Sequence, residues 1–490
     1  MLRFVWKALW VGVLGGMLLG GAFVGCSQPS QGDEATTNPD GSTGNEKSTA
    51  EGTSQQETSA PDSDAKEDTA EATPEKEPVV KYSFPGEEIA CQDNPALEKL
   101  KPILAGGKNN PTGRGEQGSA YDPCNKRIIL FGGNDLQPQQ CADFGPTAFK
   151  NDTWIYVAEY KNWIRLKLDP SPPARGRMAT AFDLSRKKMY IFGGRYRAQQ
   201  SGGIYTMYND LWAFNVNTDK WEKVAVTGTD RPGPRANSSM VYDYLNDQLI
   251  LFGGNASSNG LRFNALNDTW AFDLKRLKWR KVTTNLAPPQ SIFHSMVMDS
   301  NNKRVLLYGG GGNNAFVGPF YKDVWALDLD KQSWKKIWSP NPNGANPPSR
   351  INLAMVEDKE NSRIIMFAGH DDTAIGHRND VWTFNTKDNK WEQQRSGDTG
   401  TGAGCPRFCA CSPDFVSVDK TSPERREYHT FVTVIGENRA LLFGGKTDCG
   451  YIDDTWSLDF QSFKWTKIND ASKGEACKRT GRANCTELCY

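Results

Sequence analysis

Five arginines recur in one fixed place. Arg114, Arg175, Arg235, Arg350 and Arg426 each stand seventeen residues before an aromatic that opens a pair of small residues, and Ser291 holds the same place in a further instance. A planar guanidinium fork at such positions can grip carboxylates or phosphates, or it can close on an acid or loop carbonyl of its own repeat. Recurrence in register favours the packing role. There are four histidines, His294, His370, His377 and His429, a thin supply for serine-nucleophile or multi-histidine metal chemistry. His370, Asp371, Asp372 and His377 share one stretch that could hold a divalent ion, although such a polar run reads first as a solvated loop. No catalytic residue, metal or cofactor is assigned.

Eleven cysteines divide into one plus ten. Arg3 and Lys7 precede an uncharged apolar run over 8–25, which ends at Cys26 and gives way to polar residues. That pattern is an export signal. Its end, Phe23-Val24-Gly25-Cys26, resembles the lipobox of bacterial lipoproteins, with Phe23 where leucine is usual. The resemblance implies cleavage before Cys26 and acylation of its sulfur, an uncleaved span or plain secretory cleavage being the alternatives. Ser27, with no Asp beside the cysteine, implies the outer membrane by the rule of enteric bacteria, facing periplasm or exterior. The other ten cysteines, Cys91, Cys124, Cys141, Cys405, Cys409, Cys411, Cys449, Cys477, Cys485 and Cys489, are an even number in an exported chain, so disulfides of unspecified pairing are expected. A thiolate metal site is disfavoured, since no Cys-x-x-Cys occurs.

Charge separates the segments. The whole chain of 490 residues balances 58 basic against 58 acidic side chains, so no global field points to nucleic acid. Residues 27–80 nevertheless carry 13 acids against 3 bases, and residues 27–78 contain no Leu, Ile, Val, Met, Phe, Trp, Tyr or Cys. Such a stretch cannot bury a core and reads as a disordered tether with a reach of roughly 40 Å. After the leader, no run approaches the roughly 20 apolar residues that cross a bilayer.

These residues must be positioned by a repeating frame. Tryptophans stand in pairs nine apart: Trp154 and Trp163, Trp212 and Trp221, Trp270 and Trp279, Trp325 and Trp334, Trp382 and Trp391, Trp456 and Trp465. Upstream of each pair an apolar run closes on Phe131-Gly132-Gly133, Phe192-Gly193-Gly194, Phe252-Gly253-Gly254, Tyr308-Gly309-Gly310, Phe367-Ala368-Gly369 or Phe443-Gly444-Gly445. Short β-branched and aromatic segments separated by turn chemistry predict four strands per unit. The aspartates two before each first tryptophan read as turn acceptors.

The order of apolar strand, paired glycines, Asn-Asp-x-Trp and a second Trp resembles the kelch repeat over residues 114–468. The resemblance implies an all-β, six-bladed kelch β-propeller of four-stranded antiparallel blades, with a degenerate seventh blade as the alternative. Around it lie a signal peptide (1–25), Cys26 and the tether (26–80), an approach segment (81–113) and a cysteine-rich tail (469–490). Residues 96–104 read as an outer-strand remnant.

Spacing then points to one face. The interval from second glycine to first tryptophan falls from 21 to 11 residues, and that from second tryptophan to the next arginine position grows to 35, while the other two connections stay fixed. In an up-and-down blade both variable connections lie on the same side, where loops on a rigid frame carry binding. The candidate binding residues at the channel mouth there are Arg114, Arg175, Arg235, Arg350, Arg426, His294, Tyr428 and His429. A protein or glycan ligand is expected, with the bilayer reached only through the acyl anchor. Kelch propellers also include copper-radical oxidases of the galactose oxidase type, which resemblance would place copper on Tyr428-His429, and sialic-acid mutarotases. Both enzyme readings are alternatives to a binding module. The first lacks the C-terminal domain that supplies a further ligand, and His429 and His294 also fit the Arg-x-x-His pattern of kelch repeats, with Ser291 replacing arginine before the latter.

Overall fold

The computed structural model describes residues 81–84, 87–91, 100–104, 109–136, 148–198, 204–260, 262–315, 318–371, 376–400, 416–447 and 450–472. Cys26, the tether and the cysteines at 141, 405, 409, 411, 449, 477, 485 and 489 lie outside them. None of the helices among the described residues is long and apolar enough to cross a membrane.

The repeats become antiparallel sheets with strands in chain order. The first holds Gly118–Asp122, Arg127–Phe131, Thr153–Val157 and Asn162–Leu166. The second holds Ala179–Asp183, Lys188–Phe192, Leu211–Asn215 and Lys220–Lys223. The third follows with Ser239–Asp243, Gln248–Asn255, Ala265–Asp273 and Lys278–Val282. Ser295–Asp299, Arg304–Tyr308, Val324–Asp328 and Ser333–Trp338 make the fourth. Ala354–Asp358, Arg363–Asp371, His377–Asn385 and Lys390–Arg395 make the fifth, joined by Arg350–Ile351. The sixth is Thr430–Val434, Arg439–Phe443, Thr455–Asp459 and Trp465–Asn469.

Position within a sheet follows from sequence pattern. The second strand carries a continuous apolar run, as over 128–131 of the first sheet, because both its faces are covered. The fourth alternates, and in Lys220–Lys223 only Trp221 turns inward. That tryptophan packs on the glycine-pair aromatic of the preceding sheet: Trp221 on Phe131, Trp279 on Phe192, Trp334 on Phe252, Trp391 on Tyr308 and Trp465 on Phe367, with ring centroids 4.7–5.3 Å apart. Trp163 of the first sheet completes the cycle on Phe443 of the sixth, at 4.5 Å. The apolar core accordingly lies between neighbouring sheets, and the layer joining Ile128, Leu130 and Trp163 to Leu441 and Phe443 is one such layer. Each buried aromatic there contributes about 1.5–3 kcal/mol relative to exposure.

The turn between first and second strands occupies 123–126, 184–187, 244–247, 300–303, 359–362 and 435–438, always four residues. In five of these the first strand's closing aspartate supports the bend. Asp122 accepts from the N–H of Cys124 at 3.1 Å, and Asp243 from that of Leu245 at 3.1 Å. The turn-acceptor role expected of Asp152 and its equivalents thus belongs to a different aspartate series.

Leu100–Leu104 corrects a further expectation. These residues are helical, not an outer strand, because Leu100 and Leu104 fall four apart on one face and pack against the first inter-sheet layer. The Leu104 carbonyl accepts from Asn162 Nδ2 at 2.8 Å on the outer strand of the first sheet. Nearby, Cys91 and Cys124 form a disulfide across 33 residues.

Candidate functional site

Each recurrent arginine reaches an aspartate of its own unit, within the third strand (Asp268, Asp380) or immediately before it (Asp152, Asp210, Asp454). Arg114 engages Asp152 at 2.6 and 3.1 Å, Arg175 engages Asp210 at 2.6 and 3.0 Å, and Arg235 engages Asp268 at 2.7 and 3.0 Å. Arg350–Asp380 and Arg426–Asp454 repeat the geometry at 2.6 and 2.9 Å. The same guanidinium donates to the carbonyl of the first small residue, as from Arg350 to Ala368 at 3.0 Å, and to the carbonyl two residues upstream. Each aspartate also accepts the indole N–H of its tryptophan, Trp154, Trp212, Trp270, Trp382 or Trp456. Burial works against ionisation of Asp152, Asp210, Asp268 and Asp380, and the bidentate arginine outweighs it, so their carboxyls are held below the usual range. All five arginines are buried, with their forks engaged by the fold. Expected as candidate binding residues, they present no free donor edge to a ligand. The fourth unit is a control within the same chain. With Ser291 in place of arginine, Asp323 turns outward to Lys336 at 3.0 Å and Ser339 at 2.6 Å.

Two residues beyond each arginine position the backbone changes hand. Glu116, Arg177, Asn237, Phe293, Asn352 and Tyr428 all have φ between +55° and +65°. Each N–H donates to the carbonyl of the preceding member: Arg177 to Glu116 at 2.8 Å, Asn237 to Arg177 at 3.0 Å, Phe293 to Asn237 at 3.4 Å, Asn352 to Phe293 at 2.9 Å, and Tyr428 to Asn352 at 3.4 Å. Glu116 donates to Tyr428 at 3.3 Å and closes a hydrogen-bonded hoop. The residue before each hoop member pairs with the end of the second strand or the connection that follows it, as Gly115 does with Asn134 and Ala236 with Asn255. The hoop therefore lies on the side of the connections between second and third strands, whose lengths vary.

Inside it lies a cavity of ≈ 140 Å³, walled by the hoop residues together with Gln117, Met178, Ser238, His294 and His429. Arg177 donates to Glu116 at 2.6 Å and stacks over the Tyr428 ring at 4.6 Å, and Arg195 adds a second contact to Glu116 at 3.0 Å. Burial opposes ionisation of Glu116, but the charges of Arg177 and Arg195 prevail and its carboxyl is held below the usual range. Glu116 Oε2, Arg177 Nη1, the Tyr428 hydroxyl and both His429 nitrogens are buried without a hydrogen-bond partner in the protein. Burial pushes His294 and His429 down to about 3, so both imidazoles are neutral at physiological pH.

A second polar cluster lies beside this mouth. His370 and His377 are cross-strand partners, and Glu427 approaches from the following unit with Oε1 3.3 Å from His377 Nε2. Asp371 does not join them, since its carboxylate is taken by Arg378, and Asp372 lies outside the described residues.

The sequence matches the KLHDC2/KLHL20/DRC7 Kelch-repeats domain in three overlapping stretches, 98–310, 202–413 and 338–488. The chain belongs to the kelch-repeat family. Kelch domain-containing protein 10 of Xenopus tropicalis is 25% identical over 308 residues, covering 61% of this chain and 66% of that protein. The Homo sapiens protein of the same name is 25% identical over 308 residues, 61% of each chain. Adagio protein 3 of Arabidopsis thaliana is 27% identical over 253 residues, 50% of this chain and 36% of that protein. The aligned stretch thus covers less than two thirds of each relative's length.

Kelch membership accounts for the register residues and leaves the hoop side chains unassigned. Of the expected binding residues, His294, Tyr428 and His429 line the cavity, whereas the five arginines are buried and do not line it. His429 is flanked by Phe367 and Phe431 at 5.3 and 6.3 Å. Glu116, Arg177, Asn237, Phe293 and Asn352 were not singled out from the sequence. The signal that finds them is positional, two residues beyond each arginine place, and residue type conceals it because the members differ in chemistry.

Proposed function

We propose that this chain is a protein-binding module: a closed six-bladed kelch propeller, exported, held to the outer membrane by a lipid on Cys26, and displayed on the acidic tether over 27–80. It recognises its partner through the variable-loop face and carries no catalysis. The observation that carries this reading is a coincidence of place. The connections of unequal length and the unpartnered polar atoms of Glu116, Arg177, Tyr428 and His429 occupy the same end of the channel. Polar groups buried without partners cost free energy that a ligand's complementary groups recover, and kelch repeats point to protein ligands. Cyclic contacts from first to sixth sheet and back support the count of six blades over seven.

The test crosslinks the full chain to its partners in membranes. Shortened loops at 134–150, 195–208 and 311–321 are compared with substitutions in the opposite turns at 216–219 and 329–332. Loss of crosslinks in the loop variants alone supports the reading. Loss in the turn variants alone overturns it, and a glycan as the sole ligand would overturn the protein assignment. Separately, Cys26→Ser is expected to move the chain to the soluble fraction, and retention on the membrane would remove the lipid anchor from the proposal.

A further inference from the structure

We propose that His370, His377 and Glu427 form a binding site for a divalent transition-metal ion of the zinc class, contrary to the sequence expectation of no metal. The site is built from two units. Arg363–Asp371 and His377–Asn385 pair antiparallel with His370 opposite His377, which places both imidazoles on one face with centroids 5.2 Å apart. Glu427 is brought to that face by the short strand Arg426–Glu427, which pairs with Lys446–Thr447 and is anchored by the Arg426–Asp454 contact. One donor atom from each of the three residues lies within 4.8 Å of the other two.

The donor set selects the ion. Two imidazole nitrogens and one carboxylate oxygen suit a borderline cation and leave a fourth place for water, whereas an ion of the calcium class requires more oxygens. Metal–ligand bonds of about 2.0–2.1 Å in a tetrahedron put neighbouring donors roughly 3.3 Å apart. The His377 Nε2 to Glu427 Oε1 separation is already 3.3 Å, so His370 supplies the movement that closes the site. Glu427 is oriented from behind, since Asn352 Nδ2 donates to its Oε2 at 2.7 Å and leaves Oε1 toward the histidines. Lys446 Nζ stands 3.5 Å from Oε1. This ammonium is the resident counter-charge, and an incoming cation must displace it. Metal affinity is therefore set against the Lys446–Glu427 ion pair.

The full chain, purified without a polyhistidine tag and stripped with chelator, is titrated with Zn²⁺ and with Co²⁺. The expected result is one equivalent bound, a raised unfolding temperature, and visible Co²⁺ bands of tetrahedral intensity. His370→Gln and Glu427→Gln should each weaken binding about ten-fold or more, because each removes a ligand, and Lys446→Met should tighten it about ten-fold, because it removes a competing charge. Near-ultraviolet tryptophan dichroism verifies that each variant is folded, and Lys446→Met decides the matter if a ligand variant is not. Absence of stoichiometric binding in both the parent and Lys446→Met overturns the proposal. So does a thiolate-to-cobalt charge-transfer band, or affinity that ignores His370→Gln and Lys446→Met alike.

Discussion

The N–H of Gly445 donates to the carbonyl of Arg114 at 2.8 Å, joining the last sheet to the start of the first. The second glycine of other pairs makes the same bond to the next unit, as Gly133 does to Arg175 at 2.9 Å and Gly194 to Arg235 at 2.9 Å. The closing junction is therefore held by the same backbone bond as internal ones, in addition to Trp163 on Phe443.

Gly445→Ala should destabilise the fold by about 2–4 kcal/mol. The glycine has φ +109°, and a Cβ there would lie 2.9 Å from the Glu427 carbonyl oxygen and 2.9 Å from the His429 Cβ. Gly233→Ala, with nothing within 4 Å of the added carbon, should stay within about 0.5 kcal/mol of the parent. Denaturant unfolding compares the two, and equal effects would mean that the glycine pair is not a steric requirement.

Arg350→Met should cost about 3–5 kcal/mol, because it leaves the Asp380 carboxylate buried with, among the described residues, Trp382 as its remaining side-chain hydrogen-bond donor. Arg350→Met combined with Asp380→Asn should recover part of that loss. A double-mutant cycle measures the coupling, and a value near zero would count against the pair as a unit of the frame.

Glu357 gives a pH dependence of definite sign. It accepts from the N–H of Ser300 at 2.5 Å and from the hydroxyl at 2.8 Å, and burial nevertheless pushes its carboxyl up to about 7 from an ordinary 4.5. The folded state thus retains a proton that the unfolded chain has released. The stability so gained is complete below about pH 4.5 and disappears as pH rises through about 7. Glu357→Gln should flatten this slope, which is on the order of 2 kcal/mol. Chemical denaturation at about pH 5 and 8 checks it, and an unchanged slope would assign the dependence elsewhere.

Non-reducing peptide mapping should return Cys91 linked to Cys124. Cys124→Ser should lower stability by about 2–4 kcal/mol through the freed 33-residue loop. A free thiol at Cys91 in the parent protein would contradict the bridge.

The frame was legible in the sequence because each unit solves the same packing problem with the same residues. Trp221 must cover Phe131, and Trp279 must cover Phe192, so tryptophans recur at nine. The arginine partner was half legible: Asp152 and its equivalents keep register with the arginines, but their position before a strand points equally to a turn acceptor, the commoner use of aspartate. The hoop was hidden by its chemistry, since Glu116, Phe293 and Asn352 have nothing in common except backbone sign. Glu427 was hidden by distance, for only the junction of two units brings it to His370 and His377.

The hoop has a consequence for how such a mouth changes over generations. Its bonds run through main-chain N–H and carbonyl groups, so they form whatever side chain each position carries. Glu116, Arg177, Asn237, Phe293, Asn352 and Tyr428 thus spell a six-letter address on a lettering frame that does not depend on the letters. The alphabet has one restriction, because β-branched residues are poorly tolerated at positive φ. Saturation of Asn237 should accept Gly, Asp and His while rejecting Val, Ile and Thr, as measured by folded yield. New specificities are then reached by rewriting single letters, with the sheets behind them left unedited.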